Sequence, residues 1–213
     1  MLRLRAVFFG ALWLGFVVYA LRLSPPDDPA LTARLVRAAF TLRRDGLDPL
    51  VFAVFMTLGV VPWVYAAMLV PLRSALRPPA WPFVLAMLAL GGFALLPWLA
   101  LARARMTGQP ESRLDAAFRA RWLGALSLGA IAGLLGWGAA TGDFALYTRL
   151  FHTNRLVHVM TLDLALCGLL MPYTLSLCRQ NERVTEAPRL AALSRLPLLG
   201  GPIWCMLARR RPR

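Results

Sequence analysis

Residues Pro78–Ala102 read PPAWPFVLAMLALGGFALLPWLALA, a run of 25 without an Asp, Glu, Lys or Arg, bounded by Arg77 and Arg103. A helix needs roughly 20 apolar residues to cross about 30 Å of hydrocarbon, so the run reads as one crossing over 79–102. The same reading extends in both directions. Between Asp48 and Arg73 lie 24 uncharged residues, and between Arg121 and Asp143 lie 21. Leu156–Cys178 adds 23, broken only by His158 and Asp163. Spans are therefore expected at 49–72, 79–102, 122–142 and 156–178.

A shorter run, AVFFGALWLGFVVYAL at 6–21, lies between Arg5 and Arg22. It reads either as a signal peptide, with Val18 and Ala20 before a cut, or as a fifth span. Sorting the arginines alternately between successive spans gives eighteen against six. The positive-inside rule then favours a retained first span with the N-terminus outside and the C-terminus on the cytoplasmic side. The expected fold is all-α: a polytopic transmembrane bundle of about five spans in a single integral membrane domain over 1–213.

Composition agrees with a lipid solvent. Of 213 residues 59% are hydrophobic and 16% charged, and the mean hydropathy is +0.60. The formal charge is +14, and all 24 basic residues are Arg. They flank apolar blocks instead of forming one patch with interleaved aromatics, which argues against a nucleic-acid partner. Anionic lipid headgroups and span topology account for them. Three cysteines, Cys167, Cys178 and Cys205, form no C-x-x-C and no disulfide framework. No metal-ligand spacing, Gly-rich phosphate loop or nucleophile–base signature is present.

Residues 29–44 form an amphipathic helix in this reading, with Asp28 as N-cap, Pro29 as first residue and Gly46 beyond its end. Leu31, Leu35, Ala39 and Leu42 line one side, and Arg34, Arg37, Thr41 and Arg44 the other. It either lies in the headgroup region or packs on the bundle ends. At the C-terminus, 196–208 is too short to cross and reads as an interfacial or re-entrant segment. Gly129 and Gly133, four apart on the span at 122–142, mark a face for close helix packing.

The candidate site lies on the last span. At about 100° per residue His152, Arg155, Val159, Asp163, Cys167, Leu170, Thr174 and Cys178 share one side. Leu162, Leu166, Leu169 and Tyr173 form the flank expected to meet lipid, so the polar stripe should face protein or a wet cavity. Asp163 lies roughly 11 Å down the span at 1.5 Å per residue. A carboxylate at that depth needs a partner or a proton, at a cost of about 2.5–3.5 kcal/mol on insertion scales. Arg155, two turns away on the same side, is the candidate partner. His158 is a candidate axial ligand for a chlorophyll magnesium or haem iron, against the plainer reading of an interfacial histidine bonded to a loop carbonyl.

The runs DPLVFAVFMTLGVVPW (Asp48–Trp63), AWPF (Ala80–Phe83), RLVHVMTLD (Arg155–Asp163) and PLLGGPIW (Pro197–Trp204) resemble an uncharacterised family of integral membrane proteins from cyanobacteria and plastids. The resemblance implies a photosynthetic membrane, thylakoid or plasma membrane, and transfers no activity. The lack of an Arg/Ser-rich transit peptide implies a bacterial or organelle-encoded chain. Three functions stay open: a non-catalytic accessory or assembly component with membrane-protein partners, a small-solute transporter or channel, and a membrane enzyme acting on lipid or isoprenoid substrates.

Overall fold

The computed structural model describes residues 2–44, 46–72, 75–104, 113–181, 183–185 and 188–211. They are almost entirely helical, with two short antiparallel ladders. Four helical stretches are long and apolar enough to cross a membrane: Arg3–Leu23, Pro49–Leu72, Arg121–Thr141 and Arg155–Asn181.

Helix α1 (Leu2–Val18) runs into a π turn over Tyr19–Leu23, so the first apolar segment is longer than the run at 6–21. Helix α2 (Pro29–Thr41) starts as expected, with Asp28 accepting from Ala30 and Leu31 N–H and Pro29 at its first position. It ends earlier than 44, because Leu42 takes a left-handed backbone at φ 54°. Arg43 and Arg44 therefore lie beyond the helix. Its buried side is Leu31, Leu35 and Ala38; Leu42 is exposed, and the side chain of Ala39 lies outside the described residues.

Helix α3 (Pro49–Leu69) repeats the capped start, Asp48 accepting from Leu50 and Val51 N–H. Helix α7 (Arg121–Thr141) packs along it. Gly138 and Gly142 make that approach possible, since a Cβ on either would run into Ala53 or Leu50. Helix α8 (Phe144–Thr153), capped by Asp143, is short and amphipathic. Helix α9 (Arg155–Asn181) completes the long set.

The run at 79–102 is not one helix. Helix α4 (Trp81–Leu90) stops at Gly91, and helix α5 (Gly92–Leu101) starts one residue later. Gly91 holds φ 50° and ψ −131°, a backbone conformation essentially confined to glycine. The two halves form a hairpin. Strand β1 (Leu76–Arg77) pairs antiparallel with β2 (Arg103–Ala104), setting Arg77 opposite Arg103. Trp98, fully buried, donates its indole N–H to the Pro78 carbonyl at 3.0 Å.

A second hairpin closes the chain. After α6 (Arg113–Phe118) and the long helices, α10 (Pro188–Leu193) and α11 (Gly200–Leu207) fold back on each other. Strands β3 (Arg183–Thr185) and β4 (Arg209–Arg211) tie their outer ends. Its turn holds Leu198 at φ 62°. The expected segment at 196–208 is thus the inner turn and returning arm of a hairpin.

The two hairpins belong to a repeat. Span, short capped helix, span and hairpin occur as α1, α2, α3, α4–α5 and again as α7, α8, α9, α10–α11. Residue patterns follow the elements. Arg5-Ala6, Gly10-Ala11-Leu12, Leu14-Gly15 return as Arg119-Ala120, Gly124-Ala125-Leu126, Leu128-Gly129. Asp28, Ala30-Leu31, Arg34-Leu35 return as Asp143, Ala145-Leu146, Arg149-Leu150. Trp98, Leu101-Ala102-Arg103 return as Trp204, Leu207-Ala208-Arg209, and both tryptophans are fully buried. Packing obeys the same exchange: α5 lies on α1 and touches α9, while α11 lies on α7 and touches α3.

Hydrogen bonds assign the ends. Asp143 N–H donates to Asp48 Oδ2, and the Arg155 backbone N–H donates to the Pro26 carbonyl, both at 2.9 Å. The capped starts of α2, α3, α8 and α9 therefore share one end, and the ladders share the other. Alternating five spans would have put Asp48 and Asp143 at opposite ends; the hairpin at 76–104 turns back instead of running through, and reverses everything after it.

Candidate functional site

Asp163 sits on the buried side of α9 at the tip of the first hairpin, and it is 3% exposed. Its Oδ1 accepts from the Gly92 backbone N–H at 2.8 Å. The first N–H groups of any helix lack an intrahelical acceptor and carry the positive end of its dipole. Asp163 supplies that acceptor from another element, so the carboxylate caps α5. Its Oδ2 lies against Gly91, where any Cβ would collide with it. The break in the helix and the acid on α9 therefore require each other.

Most of the stripe expected on α9 faces inward. Cys167, Thr174 and Cys178 are fully buried, and Leu169 on the expected lipid flank is exposed. The Cys167 carbonyl accepts from Tyr65 OH at 2.6 Å, and Cys178 Sγ lies 3.4 Å from the Met68 carbonyl. Thr174 Oγ1 donates to Leu170 O, one turn back on its own helix. The Tyr65 and Cys178 contacts lock α9 to α3. All three cysteines are buried, and none forms a disulfide.

Two expected members leave the stripe. His152 lies on α8 and is exposed. The chain breaks at Asn154, which is buried and accepts from Val157 N–H at 3.0 Å, so the helix starts at Arg155. Asn is a favoured N-cap, and that signal was available in the sequence. Arg155 turns away from Asp163; its Nε donates to the Pro25 carbonyl at 3.2 Å.

His158 has both ring nitrogens engaged. Nδ1 lies 2.7 Å from the Phe151 carbonyl and Nε2 lies 2.6 Å from Tyr19 OH. A carbonyl only accepts, so Nδ1 carries a proton, and in the neutral ring Nε2 accepts from the tyrosine. The ring also lies between Phe151 and Tyr19, with centroids 4.4 and 5.7 Å away. A metal at Nε2 would have to displace Tyr19. Nearby, Thr161 donates to the Val157 carbonyl, which leaves Tyr147 OH to donate to Thr161 Oγ1 at 2.6 Å. Burial pushes the Tyr147 phenol up.

Gly129 and Gly133 are exposed, with open space where a Cβ would be. Within the chain, α7 makes its close approaches through Gly124 against α11 and Gly138 against α3. Among the described residues, no three of His, Cys, Asp and Glu come together as metal ligands would.

Asp163 also borders a cleft of about 710 Å³ between α2, α3, the first hairpin and α9. Its walls are apolar and aromatic, and among the described residues Asp163 is the only ionisable side chain on them. A smaller recess of about 220 Å³ adjoins it, sharing Trp63 and Leu88 and reaching α6. Sequence reading picked out the acid but missed the Gly91–Gly92 break, the cleft and Tyr65. The paired glycines amid apolar residues were the available signal for the break.

Fold and site together define an all-helical chain with four helices apolar enough to span a bilayer and a carboxylate held at a broken helix. Scans of protein-family models, curated proteins and solved structures all return no match.

Proposed function

We propose that the chain is an integral membrane protein that carries a small solute across the bilayer, with four crossings and two hairpins that each enter and leave from the ladder end. Arms of ten residues, roughly 15 Å each, bring the first tip to mid-bilayer depth. The observation that carries this reading is Asp163 at the break between α4 and α5, on the wall of a cleft between the repeats. Transporters built from repeats characteristically bind substrate near the midplane at discontinuous helices. An acid at such depth marks a solute or ion path more readily than a packing contact. The described arginines divide fourteen to seven in favour of the ladder end. The positive-inside rule then places that end, with the start of α1 and the end of α11, on the cytoplasmic side.

The test uses full-length chain in proteoliposomes exposed to a small-molecule extract of the source cells, with accumulated solutes measured by mass spectrometry. At least one solute should accumulate with wild type and fall to the protein-free level with Asp163→Asn. No solute above protein-free vesicles would overturn transport.

A second reading, a non-catalytic accessory or assembly component, is favoured by the outward face of α7, where Gly129, Gly133 and Gly136 have open space at their Cβ positions. Small residues of this kind let a foreign helix approach closely. Co-purification from native membranes of one stoichiometric membrane protein, lost in Gly133→Leu, would favour it. A photosynthetic setting for that partner rests on the family resemblance alone.

A further inference from the structure

We infer that the cleft at Asp163 takes an organic cation: an ammonium or related onium group on an apolar body. This deepens the transport proposal and rests on its reading of the cleft as a solute site. The first ground is the sign of the polar groups at the hairpin tip. Helix α5 presents its N-terminus there, which would ordinarily attract an anion, but Asp163 already occupies it. The other polar groups freed at the tip are acceptors. The Met87 carbonyl takes the Gly91 N–H, and Gly92 N–H goes to Asp163 instead of continuing the helix to Leu88. The last carbonyls of α4, at Leu88, Ala89 and Leu90, therefore fall outside the helical ladder, and all three residues line the cleft. A carboxylate with the negative end of a half-helix calls for positive charge.

The second ground is that the wall supplies none. Among the described residues no Arg lines the cleft, and Arg155 is turned towards Pro25. The third is size and surface. About 710 Å³ is far more than a bare metal ion fills and falls within the range of about 300–1,000 Å³ common for small organic ligands. Phe40, Phe55, Trp63 and Phe93 on the walls offer π faces, which attract onium groups.

The probe pair is tetraphenylphosphonium and tetraphenylborate, of nearly the same shape and opposite charge. Full-length chain in nanodiscs of zwitterionic phosphatidylcholine is titrated with radiolabelled tetraphenylphosphonium. Saturable binding is expected, weakened at least tenfold in Asp163→Asn and resistant to competition by tetraphenylborate. Gly59→Phe should abolish it by filling the cleft, because Gly59 lines the cleft with open space at its Cβ position. This variant keeps the test sound if Asp163→Asn fails to fold. Equal competition by the borate, or undiminished binding in both variants, overturns the inference. Binding without uptake into proteoliposomes removes transport and leaves the cation site standing. Asp163-dependent uptake of a neutral or anionic solute, with no phosphonium binding, does the reverse.

Discussion

Gly91 at φ 50° and ψ −131° occupies backbone space that costs other residues about 1–3 kcal/mol, and its missing Cβ leaves room for the Asp163 carboxylate. Strain and collision act together in Gly91→Ala, which should lower stability by roughly 2 kcal/mol or more, seen as a lower melting temperature in detergent. A melting curve matching wild type would mean that the acid and the break are independent. Thr57 predicts the opposite sign. It is fully buried, and its hydroxyl has no hydrogen-bond partner among the described residues. Thr57→Val keeps the shape and removes the orphaned polar group, so it should be neutral or stabilise by about 1 kcal/mol; a clear loss in the same assay would reveal a hidden partner. At this scale Asp163 was legible because an acid inside an apolar run has few explanations. Its partner was not, because a backbone N–H becomes a free donor only where a helix begins, and nothing in a 25-residue apolar run obliges a helix to begin at Gly92.

For the elements, the two readings of 79–102 separate sharply. As one crossing, Arg77 and Arg103 would stand roughly 35–40 Å apart at 1.5 Å per residue. As a hairpin they are directly paired across β1 and β2. The double variant Arg77→Cys with Arg103→Cys should therefore form an intramolecular disulfide under mild oxidation, read as a gel shift reversed by reductant. Failure to cross-link would restore the crossing. The native cysteines are buried and leave the readout clean. Length and hydropathy made the four long helices legible, since a crossing needs nothing else. They cannot report a reversal in mid-run, because a hairpin buried among other helices is as apolar as a span. The cap at Asn154 was missed for a related reason. Helical periodicity continued across it, so the stripe was drawn through His152.

The whole molecule is governed by the repeat. Its two copies run in the same direction, each with two long helices followed by a hairpin that turns back from the ladder end. They meet where α3 packs on α9, and Tyr65 and Asp163 belong to different copies. This order dictates topology. With two long helices per copy, each copy starts and finishes at the ladder end, whereas five alternating spans would part the termini. Ring contacts agree: Phe9 lies 5.0 Å from Tyr173, and Tyr19 meets His158, so α1 runs antiparallel to α9. Reporters that fluoresce only in the cytoplasm, fused in separate experiments to the two termini of the full chain, should both fluoresce. Reporters active only outside should be silent at both. One bright and one dark terminus would mean an odd number of crossings, and the hairpin over 76–104 would be the element to surrender, because opening it restores the fifth crossing while leaving the capped starts of α2 and α3 untouched.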